Sequence, residues 1–343
     1  MDSELRPLGL RREDVTDFSA NVNPLGASPR VKEALLNLDM SSYPDPQNWE
    51  LREALADATG VGVEQIVPGN GSTELIYLLA HSRLKVGDTV VILAPTFGEY
   101  EAACELWGAR VVPIVAEEEK EFGWDMAVAC REVERLGPKL VFLCNPNNPT
   151  GVYLEERAVE ALAEAVGGGL LAVDEAYISF VSGAWDATQL LTRGNVVLLR
   201  SMTKDYALTG LRLGYALCPE EIAQQICLYQ PTWSVNAAAQ AAGIASLSDQ
   251  EHLLHGRRCV EEGRRFLEEE LRSLGLRVLS STANFMLVGV GDATSVRFRL
   301  LSKGVCVRDC SSFGLPHYVR IAVRTVGECQ RLVSALRVVL GQD

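Results

Sequence analysis

RSMTKDYALTGLRLGY, residues 200–215, sets Lys204, one of only six lysines in the chain, among small, hydroxyl-bearing and apolar residues where the apolar run VVLLRSM (196–202) ends. A lysine is rarely fully buried, and a solvated surface position is its ordinary fate. The surroundings argue otherwise here. Ser201 and Thr203 precede Lys204, Arg212 follows eight residues later, and Gly210 and Gly214 lie close by. Hydroxyls and a guanidinium at the end of a strand make a phosphate site. A lysine beside a bound phosphate in a partly desolvated pocket can carry a lowered pKa and attack a carbonyl.

Outward from this segment, short apolar runs alternate with amphipathic ones, the pattern of a parallel sheet with crossover helices. TVVILAP (89–95), KLVFLCNP (139–146), LLAVDEA (170–176), VVLLRSM and LGYALC (213–218) read as buried strands. TELIYLLAHSRL (73–84), FGEYEAACELWG (97–108) and EERAVEALAEAV (155–166) carry the apolar spacing of helices. Polar residues follow the strand ends in NPNNPTG, DEAY and SMTK, and open α/β sheets bind ligands there. After about residue 237 the texture changes to a long charged helix (249–275), four short strands (RVLSS, NFMLVGV, VCVRDC, HYVRIAV) and a final helix, GECQRLVSALRVVL. The expectation is an α/β protein in three parts: an N-terminal arm (1–30), a large domain with a mostly parallel sheet (31–237) and a smaller α+β domain (238–343). The arm, containing DFSANVNPLG (17–26), reads as extended and in need of another surface to be ordered.

The 343 residues, 48% hydrophobic and 22% charged, suffice for a large core and suit two domains better than one. A net charge of −13 and a pI near 4.9 argue against nucleic acid or an anionic membrane as partner, since both are bound by basic surfaces. An anionic ligand must therefore meet a local basic pocket. Nine scattered cysteines form no CxxC pair and no metal-ligand spacing, so reduced thiols, a cytoplasmic location and no metal are expected. The start, MDSELRPLGLRRED, lacks an apolar h-region, and no apolar run approaches the roughly 18 residues of a membrane span.

GNGS (69–72) at a helix start, NNPTG (147–151), DEAY (174–177) and S-x-x-K with an arginine eight residues on, in this order, together resemble the fold-type I pyridoxal-phosphate enzymes of the aminotransferase class I/II group. The resemblance runs from about Asp17 to the C-terminus. It implies an aspartate-aminotransferase-like fold, a homodimer, and pyridoxal 5'-phosphate attached at Lys204. That cofactor is an electron sink only while its pyridine nitrogen is protonated, which needs a carboxylate beside it; the resemblance assigns Asp174. Asn148 and Tyr177 match the partners of the phenolic oxygen. In PGNGSTELIYLL, glycines let backbone approach a phosphate and a helix begins at about Ser72 with free N–H groups. Ser72 and Thr73 thus join Ser201, Thr203 and Arg212 around the cofactor phosphate, and the absence of GxGxxG and of a Walker lysine disfavours a nucleotide loop. Tyr100 in PTFGEY resembles the aromatic residue stacked on the pyridine ring. Tyr43 in SSYPDP matches a tyrosine that reaches the neighbouring subunit's cofactor phosphate.

In HYVRIAVRT (317–325), strand alternation puts Val319, Ile321 and Val323 on one face and Arg320 and Arg324 on the other. Two guanidiniums on one face repel unless anions lie between them. The resemblance gives Arg320 to the substrate carboxylate as a bidentate pair. Arg324 goes to a second anion or, alternatively, to a salt bridge at the rim, and Asn23 of ANVNP to the substrate. Histidinol-phosphate aminotransferases share NPNNPTG, DEAY and the lysine motif, but commonly carry Gly-Thr where this chain has Arg324-Thr325. Threonine-phosphate decarboxylases of cobalamin biosynthesis are more similar in DFSANVNPLG, EYE (99–101), LRSMTKDYALTGLRLGY (199–215), WSVNA (233–237) and YVRIAVR (318–324).

The expected activity is that of a pyridoxal-phosphate enzyme on a small phosphorylated amino compound, with Lys204, Asp174 and Tyr177 as catalytic residues. Decarboxylation of L-threonine O-3-phosphate to (R)-1-aminopropan-2-yl phosphate comes first, and transamination of histidinol phosphate with glutamate and 2-oxoglutarate is the alternative. Orientation decides between them, because the substrate bond held perpendicular to the cofactor ring is the one that breaks. A catalytically silent binding module of the same fold ranks lower, since Lys204, Asp174 and Arg212 are all present.

Overall fold

The structure, a computed structural model, describes residues 2–341; residues 1, 342 and 343, the outermost of the expected arm and small domain, lie outside the described residues. A two-residue strand, β1 (Thr16–Asp17), precedes the large sheet of β2 (Ile66–Asn70), β3 (Thr89–Ala94), β4 (Arg110–Val115), β5 (Leu140–Cys144), β6 (Leu170–Asp174), β7 (Val196–Ser201) and β8 (Leu213–Leu217). Its spatial order is β2-β8-β7-β6-β5-β3-β4. Strands β3 to β7 are parallel to their neighbours, while β8 runs antiparallel to both β7 and β2. Every residue of β5 and β6 is buried, because both faces of the sheet are covered and each strand is a continuous apolar run. The two-residue repeat sends Val141, Leu143, Leu171 and Val173 into one core and Leu140, Phe142, Leu170 and Ala172 into the other.

The apolar spacing is realised as helices Gly71–Arg83, Glu99–Glu105 and Glu156–Val166. Two strands of the large sheet escaped the sequence reading, β2 and β4. Each contains a proline, Pro68 and Pro113, which breaks the strand pattern, and each lies at an edge of the sheet, where a missing N–H is tolerated.

The second sheet comprises β9 (Arg277–Val278), β10 (Phe285–Gly289), β12 (Arg308–Asp309) and β13 (Tyr318–Ala322), all antiparallel in the order β12-β13-β10-β9; β11 (Val305–Cys306) pairs with β1 instead. Helices Gln250–Ser273 and Val326–Leu340 cover it through Val260, Leu267, Leu332 and Leu336. Helix Ala237–Leu247 packs into the large-sheet core through Ala239 and Ala242, so core membership changes between these helices, near Asp249, a helix later than the texture of the sequence changes.

The N-terminal segment finds its surface on its own chain. Thr16 and Asp17 pair with Val305 and Cys306, Leu5 packs on Leu301 and Cys306, and Phe18 is fully buried in the second core. Ordering this segment therefore does not require a second copy. Among the described residues, no helix is long and apolar enough to cross a membrane, and no group of three or more His, Cys, Asp or Glu is placed to hold a metal.

Gly214 of β8 lies opposite Ser201 and Gly69 in the ladder. A Cβ there would meet Ser72 N at 2.4 Å, Arg200 O at 2.9 Å and Gly71 C at 2.9 Å, all backbone atoms that cannot give way. Bare backbone at this point lets the start of helix Gly71–Arg83 close onto the sheet. Gly214→Ala is expected to cost about 1–3 kcal/mol of stability, as overpacking generally does, and to lower cofactor affinity as well. Denaturant unfolding of the cofactor-free variant, followed by cofactor titration, checks both effects.

Candidate active site

The loops after β3, β5, β6 and β7 all leave the same edge of the sheet, and they line a cavity of about 340 Å³. Phe97, Asn148, Asp174, Tyr177, Ser201, Thr203 and Lys204 come from those loops and strand ends, and Ser72 and Thr73 from the start of helix Gly71–Arg83. Arg212 enters ahead of β8, and Arg308, Phe313 and Arg320 close the cavity from the second sheet.

One end of the cavity is built to receive an anion. The first turn of helix Gly71–Arg83 has unpaired N–H groups at its start, beside the Ser72 and Thr73 side chains. The Ser201 and Thr203 hydroxyls lie 2.7 Å apart, both buried. Arg212 holds a left-handed backbone (φ 60°) unusual for a side-chain-bearing residue, and its guanidinium passes so close to Gly71 that a Cβ there would lie 2.9 Å from Nη2. Strain of this kind, about 1–3 kcal/mol, persists where the surrounding structure enforces it. Among the described residues, Asp174 is the one carboxylate lining the cavity.

Asp174 is 3% exposed at the end of β6. Burial pushes its carboxyl above the usual range; the Tyr100 hydroxyl, donating to Oδ2 at 2.7 Å, the Ala176 N–H, donating to Oδ1 at 3.0 Å, and the charge of Lys204 act against that rise. Tyr100 therefore departs from its expected role. It is fully buried, stacked on Phe142 at 4.8 Å, and spends its hydroxyl on Asp174, so it cannot lie flat on a ligand. Phe97, three residues earlier and edge-on to Tyr100, lines the cavity with an aromatic ring. Both aromatics belong to PTFGEY; the helix beginning at Glu99 turns the second one inward.

Asn148 and Tyr177 face the cavity as expected, and Asn21 reaches the Tyr177 hydroxyl at 3.5 Å. Arg320 is 8% exposed; Nη1 donates to Asn148 Oδ1, Nη2 donates to Ser19 O at 2.8 Å, and buried Nε has no partner among the described residues. Arg308, which the sequence reading passed over, lies directly opposite Arg320 in the β12–β13 ladder. It donates to Ser312 Oγ at 2.8 Å and sits 5.7 Å from the Phe313 ring centre. The signal available was the hairpin itself, with VCVRDC and YVRIAV each carrying an arginine.

Three expected residues stand apart from the cavity. Arg324 lies beyond the end of β13, and its guanidinium is taken by Glu328 at 2.6 and 2.8 Å while Glu328 caps the final helix, so the rim salt bridge is what the geometry contains. Asn23, buried and absent from the cavity wall, donates its side chain to Asp205 O and accepts from Leu25 N–H. Tyr43, 80% exposed, stacks on Trp233 away from this cavity.

A dianion cradle, a buried carboxylate, an amine and an apolar ring face surround one cavity, a donor set that fits pyridoxal 5'-phosphate from its phosphate to its ring nitrogen. The model of aminotransferase class I and II matches residues 13–336, and the chain belongs to this family. Its cofactor is pyridoxal 5'-phosphate and its fold is that of the aspartate aminotransferases. A histidinol-phosphate aminotransferase of Symbiobacterium thermophilum is 39% identical over 343 residues, covering 98% of this chain and 93% of that protein. One from Methanococcoides burtonii is 36% identical over 335 residues, covering 95% and 91%. Among solved structures, the histidinol-phosphate aminotransferase of Sinorhizobium meliloti in complex with pyridoxal-5'-phosphate aligns with a TM-score of 0.92 at 27% identity, over 99% of this chain and 94% of that one. An aspartate aminotransferase of Thermus thermophilus with maleate aligns at 0.86 and 26%, over 98% and 94%.

Because the Asp174 carboxyl is raised in the folded state, its contribution to stability is present in acid, below the unfolded value, and lost as pH rises through the folded one. Asp174→Asn removes that loss. The cofactor-free variant is expected to equal or exceed the native protein in thermal stability at pH 8, with the difference shrinking toward pH 4. Melting curves across that range check the sign.

Proposed function

We propose that the protein is a histidinol-phosphate aminotransferase. The observation that carries this reading is the placement of cationic side chains. Beyond the cradle around Arg212, the cavity offers one arginine pair, Arg308 and Arg320, while Arg324 is withdrawn to Glu328. Decarboxylation of phosphothreonine requires separate clamps for a carboxylate and a phosphate at once; histidinol phosphate brings a single anion. The activity named for relatives 39% and 36% identical over nearly the whole chain supports the same choice over the decarboxylase.

Pyridoxal phosphate, when bound, supplies an electron sink for the carbon bearing the substrate's amino group. In this reading, Ser72, Thr73, Ser201, Thr203 and Arg212 hold the cofactor phosphate. Asp174 keeps the ring nitrogen protonated, Asn148 and Tyr177 hydrogen-bond the phenolic oxygen, and Phe97 covers the ring. Arg308 and Arg320 would grip the substrate phosphate and set the Cα–H bond toward Lys204, whose amine would take that proton and deliver it to the carbon on the other side of the amino nitrogen. The same arginines receive a carboxylate of glutamate in the second half-reaction. We assign Tyr43 to the cofactor phosphate of a partner subunit in a homodimer, and the nine free cysteines favour a cytoplasmic protein.

The purified protein is expected to convert histidinol phosphate only when 2-oxoglutarate is supplied and to release no CO2 from O-phosphothreonine. Acceptor-independent CO2 release overturns the reading. Arg308→Ala and Arg320→Ala should each weaken histidinol-phosphate binding by about 1.5–3 kcal/mol, the scale of a charge-assisted hydrogen bond, whereas Arg324→Ala leaves it within about twofold. Asp174→Asn should retain cofactor and lose on the order of 10²-fold in turnover. Sedimentation of the active form tests the dimer; an active monomer contradicts it.

A further inference from the structure

Behind Lys204 lies a second cavity of about 160 Å³, lined by Glu175, Ser179, Arg200, Asp205, Tyr215 and Arg257. Ser201 lines both cavities. Asp174 and Lys204 line the front cavity, and Glu175, Arg200 and Asp205 the rear one. Glu175 and Arg200 pair at 2.8 Å, which leaves Asp205 and Arg257 as the remaining charges behind the site.

Asp205 follows the lysine directly. Its Oδ2 accepts from Ser179 Oγ at 2.6 Å and its Oδ1 from the Tyr206 N–H at 2.9 Å. Ser179 stands two residues beyond Tyr177, in the turn Ile178–Phe180. From the other side, Asn23 N–H donates to Lys204 O at 2.8 Å and Asn23 Nδ2 to Asp205 O at 2.9 Å. Asn23 is itself backed by helix Gln250–Ser273, where a Cβ on Gly256 would lie 2.3 Å from Nδ2. The Lys204–Asp205 peptide is thus gripped twice, and one grip ties it to the turn that carries Tyr177.

We propose that Asp205 is a positioning residue for Lys204, holding the amine in register with Tyr177 through the Ser179 hydrogen bond. This rests on the reading of Lys204 as the cofactor-bearing lysine. A burial cost marks the arrangement: Asp205 is pushed up to about 6 by burial, against which Ser179, two backbone N–H groups and the charge of Arg257 act. Around it stand Ser179 from the turn, Glu175 after β6, Arg200 of β7, Tyr215 of β8, neighbouring Tyr206 and Arg257 of the long helix. Its native value lies above the unfolded one, so its contribution to stability is present in acid and lost as pH rises through about 6. A carboxylate that weakens the fold at neutral pH fits a role in the site better than a role in the core.

Asp205→Asn, Ser179→Ala and the double variant test this, beside a Lys204→Ala control. Ser179→Ala leaves the carboxylate in place and serves if the first variant fails to fold. Cofactor-free Asp205→Asn is expected to melt above the native protein at pH 8 and level with it near pH 4. In the loaded proteins, both single variants should lower kcat about tenfold, as small misplacements of a reacting group do, with KM for histidinol phosphate within about twofold. The pH midpoint of the visible cofactor band should move by about half a unit or more in each. The double variant should be no slower than the slower single one, because both remove the same brace. Native kcat and band midpoint in both single variants overturn the proposal while the control, if it loses the band, leaves the lysine assignment standing. A control that keeps the band overturns that assignment first.

Discussion

A carboxylate stays ionised inside a protein only where donors or opposite charge replace the water it has lost. Asp174, at the end of the central strand β6, sets that condition for the whole active site. The Tyr100 hydroxyl and the Ala176 N–H satisfy one oxygen each, and Lys204 contributes charge at a distance. Tyr100 reaches the carboxylate because the helix begun at Glu99 carries its ring into the core against Phe142 of β5. In the proposed reading, the protonated ring of the cofactor would supply the remaining compensation.

The parallel strands make that arrangement possible at low structural cost. Four of them supply the cavity from one edge: an aromatic ring after β3, an amide after β5, a carboxylate at the end of β6 and a phenol just beyond it, and an amine after β7. The second sheet adds two guanidiniums, from strands hydrogen-bonded to each other, and the turn between them adds the Phe313 ring. In the proposed reading, cofactor chemistry and substrate recognition thus come from separate cores, which meet at the cavity.

How much of this was legible depends on whether a residue's role follows from its place in a short motif. Asp174, Asn148, Lys204 and Arg212 sit at strand ends inside such motifs, and the cavity gathers all four. Phe97 and Tyr100 share one motif, and only the helix start at Glu99 decides which ring turns inward. Arg324 was placed by extending an alternation past Ala322, where β13 stops and the capping of the next helix begins. Arg308 needs the pairing of two strands ten residues apart in sequence, which no local pattern expresses. The choice between two phosphorylated substrates was least legible, because Arg320 and Arg324 serve either reading in sequence, and only the structure shows Arg324 taken by Glu328.

Pro68 and Pro113 have a consequence for how copies of this chain can meet. Both lie in the outermost strands of the large sheet, where an unpaired backbone edge otherwise invites another chain to add a strand. At Pro68 there is no N–H to offer, and its carbonyl already accepts from Gln230 Nε2 at 2.8 Å. Strand addition is thus blunted at both margins. The proposed homodimer would then rely on side-chain surfaces such as the exposed Tyr43–Trp233 stack, where recognition depends on shape and residue identity in place of generic main-chain pairing.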